Sequence, residues 1–274
     1  MHGSGPEVTD DLGLPVPLPA AVRRVVSLVP SLTEAVAGGP GGSSPRDGTA
    51  AAGLLVGVTR WCTHPADLTA ERVGGTKNPD VAGIVALSPD LVLANEEENR
   101  EPDLAALRAA GVPVWVTRVR SLPEALTSLH RILTLACRLP RPAWLDAAAA
   151  AWEQLPPRPR RAGVIPVWRR PWMVLGRDTF AGDLLARLGV VNLYAGHGER
   201  YPRIGLAELR AAGADLVVLP DEPYRFSETD GPEAFPGVPA ALVSGRHLTW
   251  YGPSLAEAPA VLGRQLEQAV PRQT

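Results

Sequence analysis

The sequence predicts an α/β fold in which two Rossmann-like lobes with parallel sheets are joined by a long helical connector. Three observations support it: strands and helices alternate over residues 24–117, no strand pattern occurs over 121–154, and the alternation resumes at 162. Such alternation is typical of parallel sheets with helices on their faces. The expected organisation is a tail at residues 1–21, an N-terminal lobe at 22–120, a connector at 121–158 and a C-terminal lobe at 159–274.

The N-terminal lobe begins with a β-branched run at residues 24–29. Ser31 and Glu34 have the spacing of a capping box, which predicts a helix opening at Ser31. A Gly/Pro/Ser tract at residues 38–53 indicates a loop insertion. Beyond it the residue pattern predicts, in order, strand 54–58, a helix starting near Asn78-Pro79-Asp80, strand 91–94, helix 102–110 and strand 112–117.

The connector keeps helical spacing from Leu126 to Leu135, is broken by Pro140 and Pro142, and restarts in an alanine-rich segment at 143–154. In the C-terminal lobe the residue pattern predicts strands 162–167 and 172–175, helices 180–188 and 206–212, strand 216–219 and a last helix at 254–269. A helical rod is stiffer than a Gly/Ser tether, so we expect little hinging and a ligand in the crevice between the lobes.

Composition and charge exclude several classes of protein. The 274 residues carry 27 Lys+Arg and 29 Asp+Glu, and this net charge of −2 leaves no positive field for a nucleic acid. No apolar run reaches the roughly 18 residues of a membrane helix. The first 19 residues lack the basic and apolar regions of a signal peptide, so the sequence predicts a cytosolic protein. In that compartment Cys62 and Cys137 are expected to be free thiols rather than a disulfide.

Six segments resemble the helical-backbone (class III) substrate-binding proteins, whose members bind cobalamin, iron-siderophore complexes or haem for import. They follow in order along the chain at residues 24–34, 56–59, 73–76, 86–94, 200–203 and 249–253. The resemblance covers nearly all of residues 22–268 and is closest to the cobalamin-binding branch. It implies a binding protein with a cobalamin or an iron chelate as ligand and no tightly bound cofactor.

The resemblance also implies that aromatic residues from both lobes line the ligand cleft. The corresponding positions here are Trp61, Trp168 or Trp172, Tyr201, and Trp250 with Tyr251. Trp and Tyr can stack on a flat macrocycle and still direct the indole N–H or the phenol O–H toward the amide groups around its edge. A single tryptophan is more often a core residue, but Trp61 and Tyr201 fall in predicted loops beside charged residues or proline, which favours ligand contact.

The resemblance also identifies two positions that bear on docking to a transporter permease. Family members dock through an acidic residue on each lobe that pairs with arginine, and this chain has Ala82 and Ala207 at those positions. A salt bridge needs both partners, so a transporter role is weakened. Glu208 directly follows Ala207, but consecutive residues of a helix point in directions about a hundred degrees apart.

Where the cobalamin branch has further aromatic residues, this chain has polar segments at 75–78, with Lys77 and Asn78, and at 95–99, with Asn95, Glu97 and Glu98. Both are expected at the carboxyl edge of the first sheet, where open α/β sheets bind ligands. A Lys77 pair with Glu97 or Glu98 would add little stability, which suggests recognition. The alternative is that the acidic run is a solvated first turn of the next helix.

The second lobe has a segment in the same topological position. Residues 221–226 follow the predicted strand 216–219 and combine acidic side chains with Tyr224 and Phe226. Mixed charge with aromatic residues at two strand ends is typical of a ligand cleft.

Metal and catalytic motifs are absent from the sequence. Cys62 and His64 lie two apart, and His197 and His247 are isolated, so no zinc spacing occurs. His64 or His197 stays open as an axial ligand to a metal already held in a macrocycle. The chain has no G-x-S-x-G, P-loop or G-x-G-x-x-G motif.

The sequence therefore predicts a cytosolic, monomeric binding protein for a flat, partly apolar ligand, with cobalamin or a related corrinoid first and a siderophore or haem next. Nucleic-acid binding and membrane insertion are not expected. Two alternatives stay open: an enzyme or biosynthetic accessory factor that uses Lys77 and Glu97 or Glu98, and an importer subunit whose export signal lies outside this sequence.

Overall fold

The computed structural model describes residues 8–38 and 52–269. They divide into two compact units. Unit 1 comprises the described residues up to Arg118, with Glu124–Asp146 and Tyr251–Pro253; unit 2 comprises Val119–Pro123, Ala147–Trp250 and the described residues from Ser254 onward. The α/β fold with parallel sheets is confirmed, whereas the predicted loop insertion at 38–53 lies almost wholly outside the described residues.

Unit 1 is built on a five-stranded parallel sheet with the order β5-β4-β3-β6-β7. Three of its strands are wholly buried, as expected where a parallel sheet is covered by helices. Its elements are β1 (Val8–Thr9), β2 (Pro15–Val16), β3 (Val25–Ser27), α1 (Pro30–Ala37), β4 (Leu55–Val58), β5 (Glu71–Arg72), α2 (Val81–Ala86), β6 (Leu91–Asn95), α3 (Glu101–Ala109) and β7 (Val114–Thr117). Val26, Ile84 and Leu107 are fully buried in its core.

The start of α1 corrects one detail of the sequence prediction. The helix begins at Pro30, and its N-cap is Val29, which offers no side-chain acceptor. Proline suits the first helical turn because its missing N–H would have no partner there. Ser31 and Glu34 consequently lie inside the helix, and the predicted capping box is wrong.

Part of the segment predicted as a tail is structured. β1 and β2 pair antiparallel, and the Asp11 carboxylate accepts hydrogen bonds from Ser128 Oγ (2.5 Å) and Arg131 Nη1 (2.6 Å). Burial raises the pKa of Asp11 against the lowering effect of these bonds. The N-terminal hairpin is therefore fastened to the connector helix that carries Ser128 and Arg131.

The connector consists of two helices. α4 (Leu122–Arg131) continues as a π-helical turn at Ile132–Ala136, and α5 (Ala143–Glu153) follows a break. The break contains Pro140 and Pro142, which cannot continue the backbone hydrogen bonds of a helix.

Unit 2 is built on a four-stranded parallel sheet with the order β11-β8-β12-β13. Its elements are β8 (Arg161–Val164), β9 (Pro166–Arg169), β10 (Trp172–Val174), α6 (Phe180–Arg187), β11 (Val190–Asn192), α7 (Leu206–Ala211), β12 (Leu216–Pro220), β13 (Ala240–Val243), α8 (Gly245–Thr249) and α9 (Ala258–Glu267). The single strand predicted at 162–167 is divided at Ile165. Its second half pairs antiparallel with β10 as a separate hairpin.

Each sheet has one point at which the strand order reverses. In unit 1, β3 lies between β4 and β6, and in unit 2, β8 lies between β11 and β12. Ligands of open α/β sheets bind outside the carboxyl ends of the strands at such points. The loops that leave these strands are therefore the first places to look for function.

Candidate functional site

Trp61 lies in the loop that leaves β4, and 60% of its surface is exposed. Its turn is closed by the Cys62 N–H, which donates to the Thr59 carbonyl at 3.2 Å. Arg72 Nη1 donates to the carbonyl oxygens of Thr59 (3.1 Å) and Cys62 (2.8 Å). The Cys62 thiol lies 3.1 Å from the hydroxyl of Thr33. An exposed indole is thus presented by a restrained backbone, as a preorganised ligand contact requires.

The two polar segments predicted at one edge of the sheet lie side by side. The Lys77 ammonium donates to the main-chain carbonyl of Glu97, and Asn99 Nδ2 donates to the carbonyl of Thr76 at 2.9 Å. The contact between Lys77 and Glu97 thus involves the backbone oxygen, whereas the sequence predicted a carboxylate. Asn78 is exposed on the same loop.

Asn95 is buried at the end of β6 and holds that loop together. Its Oδ1 accepts the N–H groups of Glu97 (2.8 Å) and Glu98 (3.1 Å). Its Nδ2 donates to Thr117 Oγ1 (3.1 Å) and to the Tyr251 hydroxyl (2.8 Å). Asn95 therefore orients the half-buried acidic residues with hydrogen bonds made inside unit 1.

Tyr251 is 5% exposed and lies among these groups. Its hydroxyl lies 2.9 Å from Thr117 Oγ1. Burial, with a smaller contribution from the charge of Glu98, raises its pKa far above the ordinary value, so the phenol stays neutral. Tyr251 is thereby an internal support of the acidic loop.

In unit 2, an aromatic pair lies at the reversal point of the sheet. Trp168 on β9 is 41% exposed, and the half-buried Tyr224 follows β12. Their ring centroids are 5.6 Å apart at an interplanar angle of 77°, an edge-to-face geometry that aromatic pairs favour. The Tyr224 hydroxyl donates to Asp230 Oδ2 at 2.6 Å. We call Trp168 and Tyr224 the aromatic platform.

Trp172 takes a different position from Trp168, although the sequence could not separate the two. It stacks on Phe226 with centroids 6.1 Å apart and packs edge to face with Phe235 at a centroid distance of 5.5 Å. Both phenylalanines are buried in the core of unit 2, and Trp172 packs against that core. Trp168 is therefore the better placed of the two for ligand contact.

The remaining aromatic candidates, Trp250 and Tyr201, are held by specific contacts. Trp250 is 8% exposed, and its Nε1 donates to Glu222 Oε2 at 3.0 Å. Burial raises the pKa of Glu222 above its ordinary value. Tyr201 is half-buried, with the Arg200 guanidinium 5.9 Å from its ring centroid. Neither ring is exposed to the extent of Trp61.

Several residues that shape these sites were missed by the sequence analysis. Arg72 supports the Trp61 turn, and Arg169 and Asp230 lie behind the aromatic platform. Arg169 and Asp230 are 61 positions apart, and no local pattern connects an arginine to a partner at that distance. Only the fold could reveal them.

Histidine and cysteine form no centre in the described ranges. Over residues 8–38 and 52–269, no group of three or more His, Cys, Asp or Glu side chains could hold a metal ion. Cys62 and Cys137 are buried free thiols, and burial raises the pKa of Cys137 to about 12. Nδ1 of the exposed His64 lies 3.1 Å from the Thr63 hydroxyl, and Nδ1 of His197 accepts from the Glu199 N–H at 3.0 Å. An axial role for either histidine stays a prediction.

Two surface features bear on partners. Ala82 on α2 and Ala207 on α7 are both exposed, and Glu208 beside Ala207 is exposed as well. Among the residues described here, no helix is long and apolar enough to span a bilayer.

Comparison with known proteins tests the family prediction. No protein-family model matches the chain. A vitamin B12-binding protein of Pectobacterium carotovorum is 23% identical over 220 residues, which cover 76% of this chain and 75% of that protein. The periplasmic vitamin B12-binding protein BtuF of Vibrio cholerae has a TM-score of 0.67 at 17% identity, covering 90% of this chain and 97% of its own. The periplasmic haem-binding protein RhuT from Roseiflexus sp. RS-1, in its apo form, has a TM-score of 0.72 at 22% identity, with 90% and 98% coverage.

The prediction of a cytosolic protein is wrong. The solved structures that share this fold are periplasmic binding proteins. The prediction depended on the composition of the first 19 residues alone.

The proteins that this chain resembles are binding proteins, which fits the prediction of a binding protein and gives the enzyme alternative no support. The chain is thus similar in sequence to vitamin B12-binding proteins and shares its fold with periplasmic vitamin B12-binding and haem-binding proteins.

Proposed function

We propose that the protein binds a corrinoid, with cobalamin as the first candidate, and that Trp61 and the aromatic platform contact it. The observation that carries this proposal is the exposure of two indoles, Trp61 and Trp168, at the carboxyl edges of the two sheets. Exposed tryptophans on restrained backbone are costly to leave in water and are typical of binding surfaces. A corrin offers a flat apolar face that matches them.

The charges beside the aromatic residues of unit 2 favour a corrinoid over haem. Glu222 accepts from the Trp250 indole and Asp230 from the Tyr224 hydroxyl. The guanidinium of Arg169 is already paired with two carboxylates. A haem propionate next to Asp230 or Glu222 would be repelled, whereas the amide groups of a corrinoid carry no charge and can donate to these carboxylates.

Unit 1 supplies a second set of acceptors of the same kind. Glu96, Glu97 and Glu98 are half-buried and their loop is fixed by Asn95. Carboxylates held in place can accept hydrogen bonds from amide groups at a low entropic cost. We propose that this loop contacts the amide groups around the edge of the corrin, and that Lys77 and Asn78 lie beside this contact.

A thermal-shift panel tests the choice of ligand. Purified protein is heated alone and with cyanocobalamin, haemin or a ferric siderophore, each at 100 μM, which is on the order of a hundredfold above a micromolar Kd. Because a ligand that binds only the native state raises the melting temperature, we expect the largest rise with cyanocobalamin. A rise with haemin alone would replace the corrinoid by haem, and no rise with any of the three would refute the proposal.

Transfer of the ligand to an ABC transporter is the role that the family resemblance suggests. Exposed Ala82 and Ala207 provide no carboxylate at the two predicted docking positions. We therefore propose that a permease, if engaged, contacts other residues of these helices, such as Glu208.

A further inference from the structure

Arg169 lies at the end of β9, next to Trp168 and opposite Trp172 in the hairpin register. Its guanidinium contacts the carboxylates of Asp230 and, at 2.5 Å, Glu233. It also lies 5.4 Å from the ring centroid of Trp172. The Arg169 side chain is 18% exposed, so both ion pairs are partly shielded from water. One arginine thus ties the hairpin to the segment between β12 and β13.

The two carboxylates are themselves fixed to the backbone of that segment. Ser227 and Asp230 exchange main-chain hydrogen bonds at 3.0 and 3.3 Å. Glu233 Oε2 accepts the Gly231 N–H at 2.6 Å. A guanidinium held by two such carboxylates fixes the conformation of the whole segment, because its planar geometry gives little orientational freedom.

From Asp230 the contacts lead to the exposed indole. The Tyr224 hydroxyl donates to Asp230 Oδ2, and the rings of Tyr224 and Trp168 pack edge to face. Arg169 is therefore linked to Trp168 through Asp230 and Tyr224. If the arginine were neutral, Asp230 and Glu233 would repel each other and the hydroxyl of Tyr224 would lose a fixed acceptor.

We propose that Arg169 is a positioning residue that holds the aromatic platform in its binding conformation before the ligand arrives. The inference deepens the proposed function and depends on it for the ligand. Its expected consequence follows from side-chain entropy. If the platform had to be ordered at the moment of binding, affinity would fall roughly fivefold to tenfold, since each immobilised side chain opposes association.

A double-mutant cycle tests this inference. Affinity for cyanocobalamin is measured for wild type, Arg169→Gln, Trp168→Ala and the double variant, with Arg264→Gln on α9 as the charge-matched control on an exposed residue. We expect Arg169→Gln to lower the affinity about fivefold to tenfold when Trp168 is present. The same substitution should lower it less than about twofold when Trp168 is already alanine. Equal losses in both backgrounds, or no loss in wild type, would overturn the inference.

A ligand-free measurement separates this inference from the proposed function. The 19F spectrum of protein labelled with 5-fluorotryptophan is recorded without ligand, and the Trp168 resonance is assigned with Trp168→Phe. We expect Arg169→Gln to shift this resonance toward that of a solvent-averaged indole and Arg264→Gln to leave it unchanged. Arg169→Lys keeps the charge and should restore part of the wild-type shift, which also covers the case in which the glutamine variant folds poorly. An unchanged resonance in both Arg169 variants would overturn the inference whether or not a corrinoid binds.

Discussion

Replacing Trp61 by alanine removes the most exposed aromatic contact proposed for the ligand. A tryptophan presents up to about 250 Å² of surface, and 60% of that of Trp61 is exposed, which leaves about 150 Å². A flat ligand covers one face of the ring, or about 75 Å². At ~25 cal/mol per Å² this amounts to about 2 kcal/mol, a roughly thirtyfold weaker Kd.

The assay is quenching of tryptophan fluorescence or calorimetry with cyanocobalamin, together with a melting curve of each protein. The Trp61→Ala variant should melt within about two degrees of wild type, since an exposed side chain contributes little to the fold. Leu135→Ala is the matched control because Leu135 is an apolar side chain, 40% exposed, on the connector. We expect it to bind as wild type does.

Two results would refute the reasoning. Wild-type affinity in Trp61→Ala would show that the indole does not contact the ligand. A large fall in melting temperature would show instead that Trp61 supports the fold, contrary to its exposure.

Three further predictions follow from the described contacts. Tyr251→Phe removes two buried hydrogen bonds, but Asn95 and Thr117 each keep another hydrogen-bond partner. The free energy of unfolding in urea should therefore fall by about 1–2 kcal/mol, and an unchanged value would contradict the geometry. Cys62 and Cys137 are buried with raised pKa values, so a thiol reagent at pH 8 should react with neither until the protein unfolds, and rapid native reaction would exclude their burial. Asp80 caps α2 through the Gly83 N–H at 2.9 Å, so Asp80→Ala should lower the free energy of unfolding by about 1 kcal/mol and Asp80→Asn by less.

Alkaline pH provides a check on the same tyrosine. The pKa of Tyr251 is raised in the folded state, so the native protein retains a proton there that the unfolded chain releases. Its contribution to stability is therefore complete below about pH 10 and is lost as pH rises further. Absorbance at 295 nm should show one of the four tyrosines titrating only on unfolding, and its early titration would contradict the burial.

Much of the fold could be predicted because the main elements follow local patterns. Apolar runs predicted β6 and β12, and the helices predicted from residue 180 and near residues 78–80 begin within a few residues of α6 and α2. β11 and β13 were missed because they have only three and four residues and lack a long apolar run. The start of α1 was misplaced because Pro30 can open a helix without a side-chain cap.

The candidate site was less accessible to sequence reasoning. The family resemblance and a predicted loop position singled out Trp61, which is exposed in the structure. Its contact with a ligand stays a prediction. The contacts of Asn95 with Tyr251 and of Arg169 with Asp230 join residues 156 and 61 positions apart, so their structural roles depend on the assembled fold. For Lys77, the sequence placed the side chain beside the acidic loop but could not tell a carboxylate from a main-chain carbonyl.

The most direct test is a calorimetric titration of cyanocobalamin into wild type and into the Trp61→Ala/Trp168→Ala double variant. We predict one-to-one binding by wild type with a micromolar or lower Kd, and a loss on the order of a hundredfold in the double variant, since each indole contributes an independent apolar contact. An absence of binding by wild type, or equal affinities of the two proteins, would contradict the account.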